Sequence, residues 1–169
     1  MRLFVAIPFD VRMRKALTAL LRDLRRSGFE GNFSQTENLH LTLAFIGEND
    51  NAAGVISTLE QVYCPAFDLK TQVLGHFGDL IWLGLTYSKD LENLAMSVRK
   101  NLQTAGIEID HKAFKPHITL ARRTNIERLG EQALPAFPQQ RMTVSSFSLM
   151  SSERERGKLV YRELANFPL

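Results

Sequence analysis

Cysteine is almost missing from this chain. Cys64 is the only one in 169 residues, so no internal disulfide forms. No charged stretch followed by an apolar run and a small-residue cleavage site opens the sequence, and the two observations together point to a reduced, cytoplasmic setting. No run approaches about 18 uncharged apolar residues, so no membrane-spanning helix is expected. A phosphate loop of the form Gly-x-x-x-x-Gly-Lys-Ser/Thr is also missing, since Gly157-Lys158 is followed by Leu159; this argues against an ATP-dependent ligase or kinase. Histidine is scarce, with four in the chain. His76 and His111 lack the neighbouring ligands that a zinc site uses, so they read as a turn or rim residue and a surface residue. Neither a metal nor a cofactor is expected.

What remains is an ordinary globular composition, 44% apolar and 23% charged, of a size for one domain or two small lobes sharing an interface. The net charge of +3 suits an anionic ligand without demanding nucleic acid. Cys64, directly before Pro65, reads as a buried or helix-end thiol.

Leu3 to Pro8 is an apolar run stopped by proline, the mark of a buried strand. Asp10 then caps a helix whose apolar stripe is Leu17, Leu20, Leu21 and Leu24 and which stops at Gly28. Its other face carries Arg12, Arg14, Lys15, Arg22, Arg25 and Arg26, read as a solvated face. A polar loop over 31–38 leads to a strand ending at Gly47. Asp50 is expected to cap a second helix with Ala52, Val55, Ile56, Leu59 and Val62 inward. Phe67 to Val73 alternates as a strand and pairs with Ile81 to Tyr87 across Gly78-Asp79, with Trp82 as core or cleft wall. A third helix spans about Leu91 to Ala105. After a strand opened by Pro116, residues 122–138 look irregular with one helical turn near 126–132. Two closing strands, Met142 to Met150 and Leu159 to Phe167, flank a charged turn from Glu153 to Gly157. This succession has too few β-α-β alternations for an all-parallel sheet, and predicts an α+β fold with antiparallel sheet.

Two strands share a phrase: His40-Leu-Thr-Leu43 and His117-Ile-Thr-Leu120. In a strand the side chains alternate, so His and Thr of each copy face one way and the apolar pair packs the other. Two of four histidines falling into this pattern by chance has a probability of roughly one in a thousand. The copies lie 77 positions apart (117 less 40), close to half the chain, which suggests two similar lobes. No other stretch repeats at that offset. Two facing imidazoles can divide labour, one neutral and taking a proton, one charged and giving it, while the threonine hydroxyls steady an oxyanion such as a phosphate in transit.

The paired motifs resemble the two-histidine phosphoesterases, specifically the RNA 2′,3′-cyclic phosphodiesterases first described as 2′-5′ RNA ligases. The likeness takes in Arg2-Leu-Phe-Val-Ala-Ile7, Asn38 to Glu48, Ile81-Trp-Leu-Gly84, Pro116 to Leu120 and Tyr161-x-x-Leu164; the end of the chain lacks a tryptophan that some relatives carry. The resemblance implies one two-lobed domain over 1–169, α+β, with two antiparallel sheets, helices outside, and both motifs in a central cleft. It implies metal-free hydrolysis of a 2′,3′-cyclic phosphate to a 2′-phosphate, with His40 as proton donor to the 3′ oxygen, His117 as proton acceptor from water, and Thr42 and Thr119 holding the phosphate. Arg122 matches a basic position after the second motif and could pair with a phosphate or be a surface charge. The partner implied is RNA or an oligonucleotide with a cyclic-phosphate end, tRNA halves among the candidates, acted on by a monomer. Ligation without ATP is the same chemistry with an RNA hydroxyl in place of water. The rival readings are a non-catalytic RNA-binding module and a phosphodiesterase for a small cyclic nucleotide.

Overall fold

The computed structural model covers residues 1–169. Strand β1 (Arg2–Pro8) buries Leu3 to Ile7 completely and ends at proline. Helix α1 (Val11–Arg26) starts where the Asp10 carboxylate accepts the Met13 N–H at 2.7 Å, and it turns Met13, Leu17, Leu20, Leu21 and Leu24 inward. Next come β2 (Asn32–Phe33), a turn of 3₁₀ helix (Thr36–Asn38) and β3 (His40–Glu48), the first motif strand. Helix α2 (Ala52–Leu59) leads to the hairpin β4 (Phe67–Phe77) and β5 (Leu80–Leu85), turned at Gly78-Asp79. Helix α3 (Lys89–Thr104) precedes β6 (His117–Arg122), the second motif strand. A single turn α4 (Ile126–Leu129) leads to β7 (Arg141–Val144), β8 (Ser146–Glu155) and β9 (Lys158–Pro168).

All strand pairings are antiparallel, in one sheet of order β3-β1-β8-β9 and another of order β2-β6-β5-β4-β7. The α+β class with two antiparallel sheets is therefore as expected. One core of 36 buried residues runs through both sheets and α1 to α3.

The repeat suspected from the motifs is wider than the motifs. In each half a strand, a 16-residue helix and a motif strand follow one another, and the motif strand pairs antiparallel with the strand that opened the unit. Arg2 answers to Leu80, Val11 to Lys89 and His40 to His117, offsets of 78, 78 and 77 residues. Side-chain burial over the first six residues of β3 and β6 follows one pattern: His and Thr half-buried, the apolar residues and the following alanine buried, the sixth residue exposed. Only the backbone arrangement preserves this outside the motifs, because any apolar set of the right period fills the equivalent positions.

Four boundaries differ from expectation. Met142 to Met150 is not one strand: Ser145 divides it, so β7 joins the second sheet and β8 the first. Alternation reads the same on both sides of such a crossing and cannot signal a change of sheet. The polar loop contains β2, two residues paired with Arg122 and Ala121, and is pinned further by Ser34, which donates to the carbonyls of Leu120 and Thr119 at 2.8 Å each. The α2 cap is Asn51, accepting from the Gly54 N–H at 3.0 Å, while Asp50 lies 3.5 Å from the N-terminal ammonium; the helix stops at Leu59, short of Val62. The last turn is shorter than the charged segment. Pairing continues to Glu155 opposite Lys158, leaving Arg156 and Gly157, both at positive φ (49° and 81°), as a two-residue hairpin turn.

Trp82, the only tryptophan, lies over Gly75 in the neighbouring strand. A β-carbon at Gly75 would come within 2.4 Å of the indole. Gly75→Ala is expected to destabilise the fold by about 1–3 kcal/mol through overpacking. Urea unfolding followed by tryptophan fluorescence checks this, with a shifted native emission as the local sign of a displaced indole.

Candidate active site

Both motif histidines open their strands, and both are braced alike. His40 Nδ1 lies 2.6 Å from the Asn38 carbonyl and His117 Nδ1 lies 2.7 Å from that of Lys115, in each case two residues upstream. A carbonyl oxygen only accepts, so each Nδ1 carries the hydrogen and donates it. Nε2 is left in each ring as the nitrogen that exchanges protons. At His40 this atom lies 2.9 Å from Thr42 Oγ1; no corresponding bond joins His117 to Thr119. The two imidazoles thus share an orientation device but differ at Nε2.

Their walls are aromatic. The His40 ring packs 4.9 Å from Phe4 and 5.2 Å, edge-on, from Tyr161. His117 meets the edge of Phe77 at 5.6 Å, and Phe77 leans on Trp82 at 5.1 Å. Trp82 is the cross-strand partner of Thr119, and its buried Nε1 has no hydrogen-bond partner. At His40 burial also acts on proton affinity. Burial pushes the pKa of His40 below the usual imidazole value, the Asn38 carbonyl partly offsets this, and the Arg122 guanidinium lowers it further. Burial raises the Tyr161 pKa, against a smaller opposing pull from Arg122 and Arg2, so Tyr161 is a neutral phenol at pH 7.

The charge of Arg122 is felt across the two sheets. It is exposed at the end of β6, yet its charge acts on His40 in β3 and Tyr161 in β9, both in the other sheet. The motif strands β3 and β6 are themselves in contact where the sheets meet. The structure thus brings His40, Thr42 and Arg122 into one neighbourhood and puts His117 and Thr119 on the strand that carries Arg122.

Phe4, Tyr161 and Phe77 were not read as site residues. Phe4 is hidden in a continuous apolar run, and Tyr161 is 121 positions from His40, brought beside it only by the β1-β8-β9 ladder. Phe77 is an exposed large apolar residue two positions from Gly75, hence on the face of Trp82, and neither its exposure nor that pairing is written in the sequence.

His76 bonds the Gly78 carbonyl at 2.7 Å and Glu131 at 2.9 Å, and His111 is exposed. The Cys64 thiol is buried, which raises its pKa away from thiolate. No group of three or more His, Cys, Asp or Glu side chains is placed to hold a metal ion, and no helix is long and apolar enough to cross a membrane.

The chain is 28% identical over 177 residues to the RNA 2′,3′-cyclic phosphodiesterase of Thermotoga maritima, covering 97% of this chain and 93% of the relative. It is 34% identical over 130 residues to the enzyme of the same name from Archaeoglobus fulgidus, covering 72% of each. The fold matches the crystal structure of E. coli LigT complexed with 3′-AMP at a TM-score of 0.80 and 27% identity, over 99% of this chain and 96% of that one. The family model for the 2′-5′ RNA ligase superfamily matches residues 13–156, and with both histidine strands inside that span, the chain belongs to this superfamily.

Proposed function

We propose that this protein hydrolyses RNA 2′,3′-cyclic phosphodiester ends to 2′-phosphomonoesters, using its two motif histidines as acid and base in a single two-lobed domain. The observation that carries the reading is the matched brace. Two imidazoles, each with Nδ1–H spent on a backbone carbonyl, present Nε2 for proton transfer from equivalent places in the two halves. The names of the relatives over nearly the whole chain support the reaction class.

In this mechanism the cyclic phosphate lies between β3 and β6. His117 Nε2, which has no partner in the protein, takes a proton from water as the water oxygen bonds to phosphorus. The bond from phosphorus to O3′ breaks on the opposite side, and His40, charged, passes its Nε2 proton to O3′. Thr42, Thr119 and Arg122 donate to the phosphate oxygens, where charge builds in the transition state. Burial and the Arg122 charge disfavour the charged form of His40 in the free enzyme; an anionic phosphate arriving beside Arg122 favours it. An RNA hydroxyl replacing water gives a 2′-5′ linkage without ATP.

Replacing either histidine by alanine should cost roughly 10²-fold or more in turnover of a nucleoside 2′,3′-cyclic phosphate. The roles separate on a nucleoside 2′-(4-nitrophenyl phosphate), where nitrophenolate takes the place of O3′ and leaves without an acid. His40→Ala should recover much of its loss on it while His117→Ala stays inactive; the opposite pattern reverses the assignment. Activity should also survive dialysis against a strong chelator, and a loss restored by zinc or magnesium would sink the metal-free mechanism. Finally, because Arg122 lowers the His40 pKa, Arg122→Gln should raise it, moving the His40 proton titration followed by NMR to higher pH. If His40 must be protonated to act, the alkaline limb of kcat/KM moves the same way while the maximum falls. A titration that stays put would remove Arg122 from the neighbourhood of the acid.

A further inference from the structure

The charge of this protein is concentrated on one helix. Six cations of α1 (Arg12, Arg14, Lys15, Arg22, Arg25, Arg26) stand against one acid, Asp23. The rest of the chain is left with 15 cations (21 less 6) and 17 anions (18 less 1). None of the six is in an ion pair, whereas Arg99, Arg141 and Arg162 each sit on a carboxylate. A merely solvated helix face at this charge density repels itself along its length, so the missing counter-charges ask for a partner.

Part of that face is shaped. An open groove of about 510 Å³ runs along α1, lined by Arg14, Lys15, Arg22, Thr18 and, from other segments, Phe9 and Thr36, with no carboxylate in its lining. Arg14, Thr18 and Arg22 follow one another at i, i+4 and i+8, a single stripe of the helix. One end of the groove lies near the start of the first motif strand along the chain. Phe9 follows Pro8, the cross-strand partner of His40, and Thr36 is four residues before His40, at most about 15 Å along the chain. From Arg14 to Arg22 the helix rises about 12 Å, and a stacked strand carries a phosphate about every 3.4 Å, so the stripe faces three or four phosphates.

We propose that this groove is the track for the RNA strand upstream of the reacting end, with Arg14, Lys15 and Arg22 pairing to backbone phosphates. The proposal rests on the RNA reaction given above, and deepens it by making the enzyme sensitive to substrate length. A nucleoside 2′,3′-cyclic phosphate does not reach the groove, whereas a 12-nucleotide RNA ending in the same group fills it.

The test compares these two substrates in the unsubstituted enzyme and in Arg14→Gln/Lys15→Gln/Arg22→Gln. The variant should lose at least about 10-fold in kcat/KM on the 12-mer at moderate salt and stay within about twofold on the mononucleotide, which also shows that it is folded. Its log–log salt dependence on the 12-mer should be shallower by about 2, three phosphates at roughly 0.7 each for a single strand. Arg12→Gln/Arg26→Gln, on the same helix but outside the groove lining, should change the slope by less than half as much. Equal losses on both substrates, an unchanged slope, or an equal effect of the control pair would overturn the groove. If the unsubstituted enzyme turns over neither substrate, the proposed reaction falls instead, and the same slopes measured by equilibrium binding of the 12-mer decide the groove separately.

Discussion

The site depends on the alternation of side chains along two strands. In β3 and β6 the buried positions Leu41, Leu43, Ile118 and Leu120 belong to the shared core, and their burial fixes the register of each strand. A slip of one residue would carry His and Thr into that core and the leucines into solvent, so packing and chemistry constrain one another. The hydrophobic effect, which has no direction of its own, thereby aims four polar side chains.

Orientation within that face comes from the backbone. Each imidazole donates to a carbonyl two residues upstream, in the approach to the strand rather than in the strand itself. Such a bond is indifferent to the identity of residues 38 and 115, since every residue carries a carbonyl; what matters is the path of the chain into the strand. At His40 that path is set by the 3₁₀ turn over Thr36–Asn38, anchored where the Asn38 side chain donates to the Leu159 carbonyl at 2.9 Å. Before His117 it is Pro116, whose ring stiffens the entry.

The two halves repeat in backbone and differ in surroundings. His40 lies in the tighter setting, between Phe4 and Tyr161 and within the field of Arg122, so its charged form is disfavoured. His117 borders an aromatic pair of another kind, Phe77 on Trp82, the latter given room by Gly75. A duplicated frame thus holds its two imidazoles in unequal surroundings, one between Phe4 and Tyr161 and one beside Phe77.

Local sequence carried much of this. The strand and helix periods predicted α1, α3 and the β4-β5 hairpin, and the two His-x-Thr phrases marked the motif positions, because alternation and helical stripes are written in consecutive residues. Where two locally similar segments go to different places, local sequence is silent: it could not divide β7 from β8 at Ser145, nor bring Tyr161 from β9 to His40. It shows the charge along α1, read as a solvated face, but not the open groove that Phe9 and Thr36 line beside it. What the sequence by itself determined was which side chains share a strand face or a helix stripe. Which faces meet, and so which charges and rings act on each histidine, only the tertiary structure decided, because those contacts join residues far apart in the chain and depend on the order of strands in each sheet.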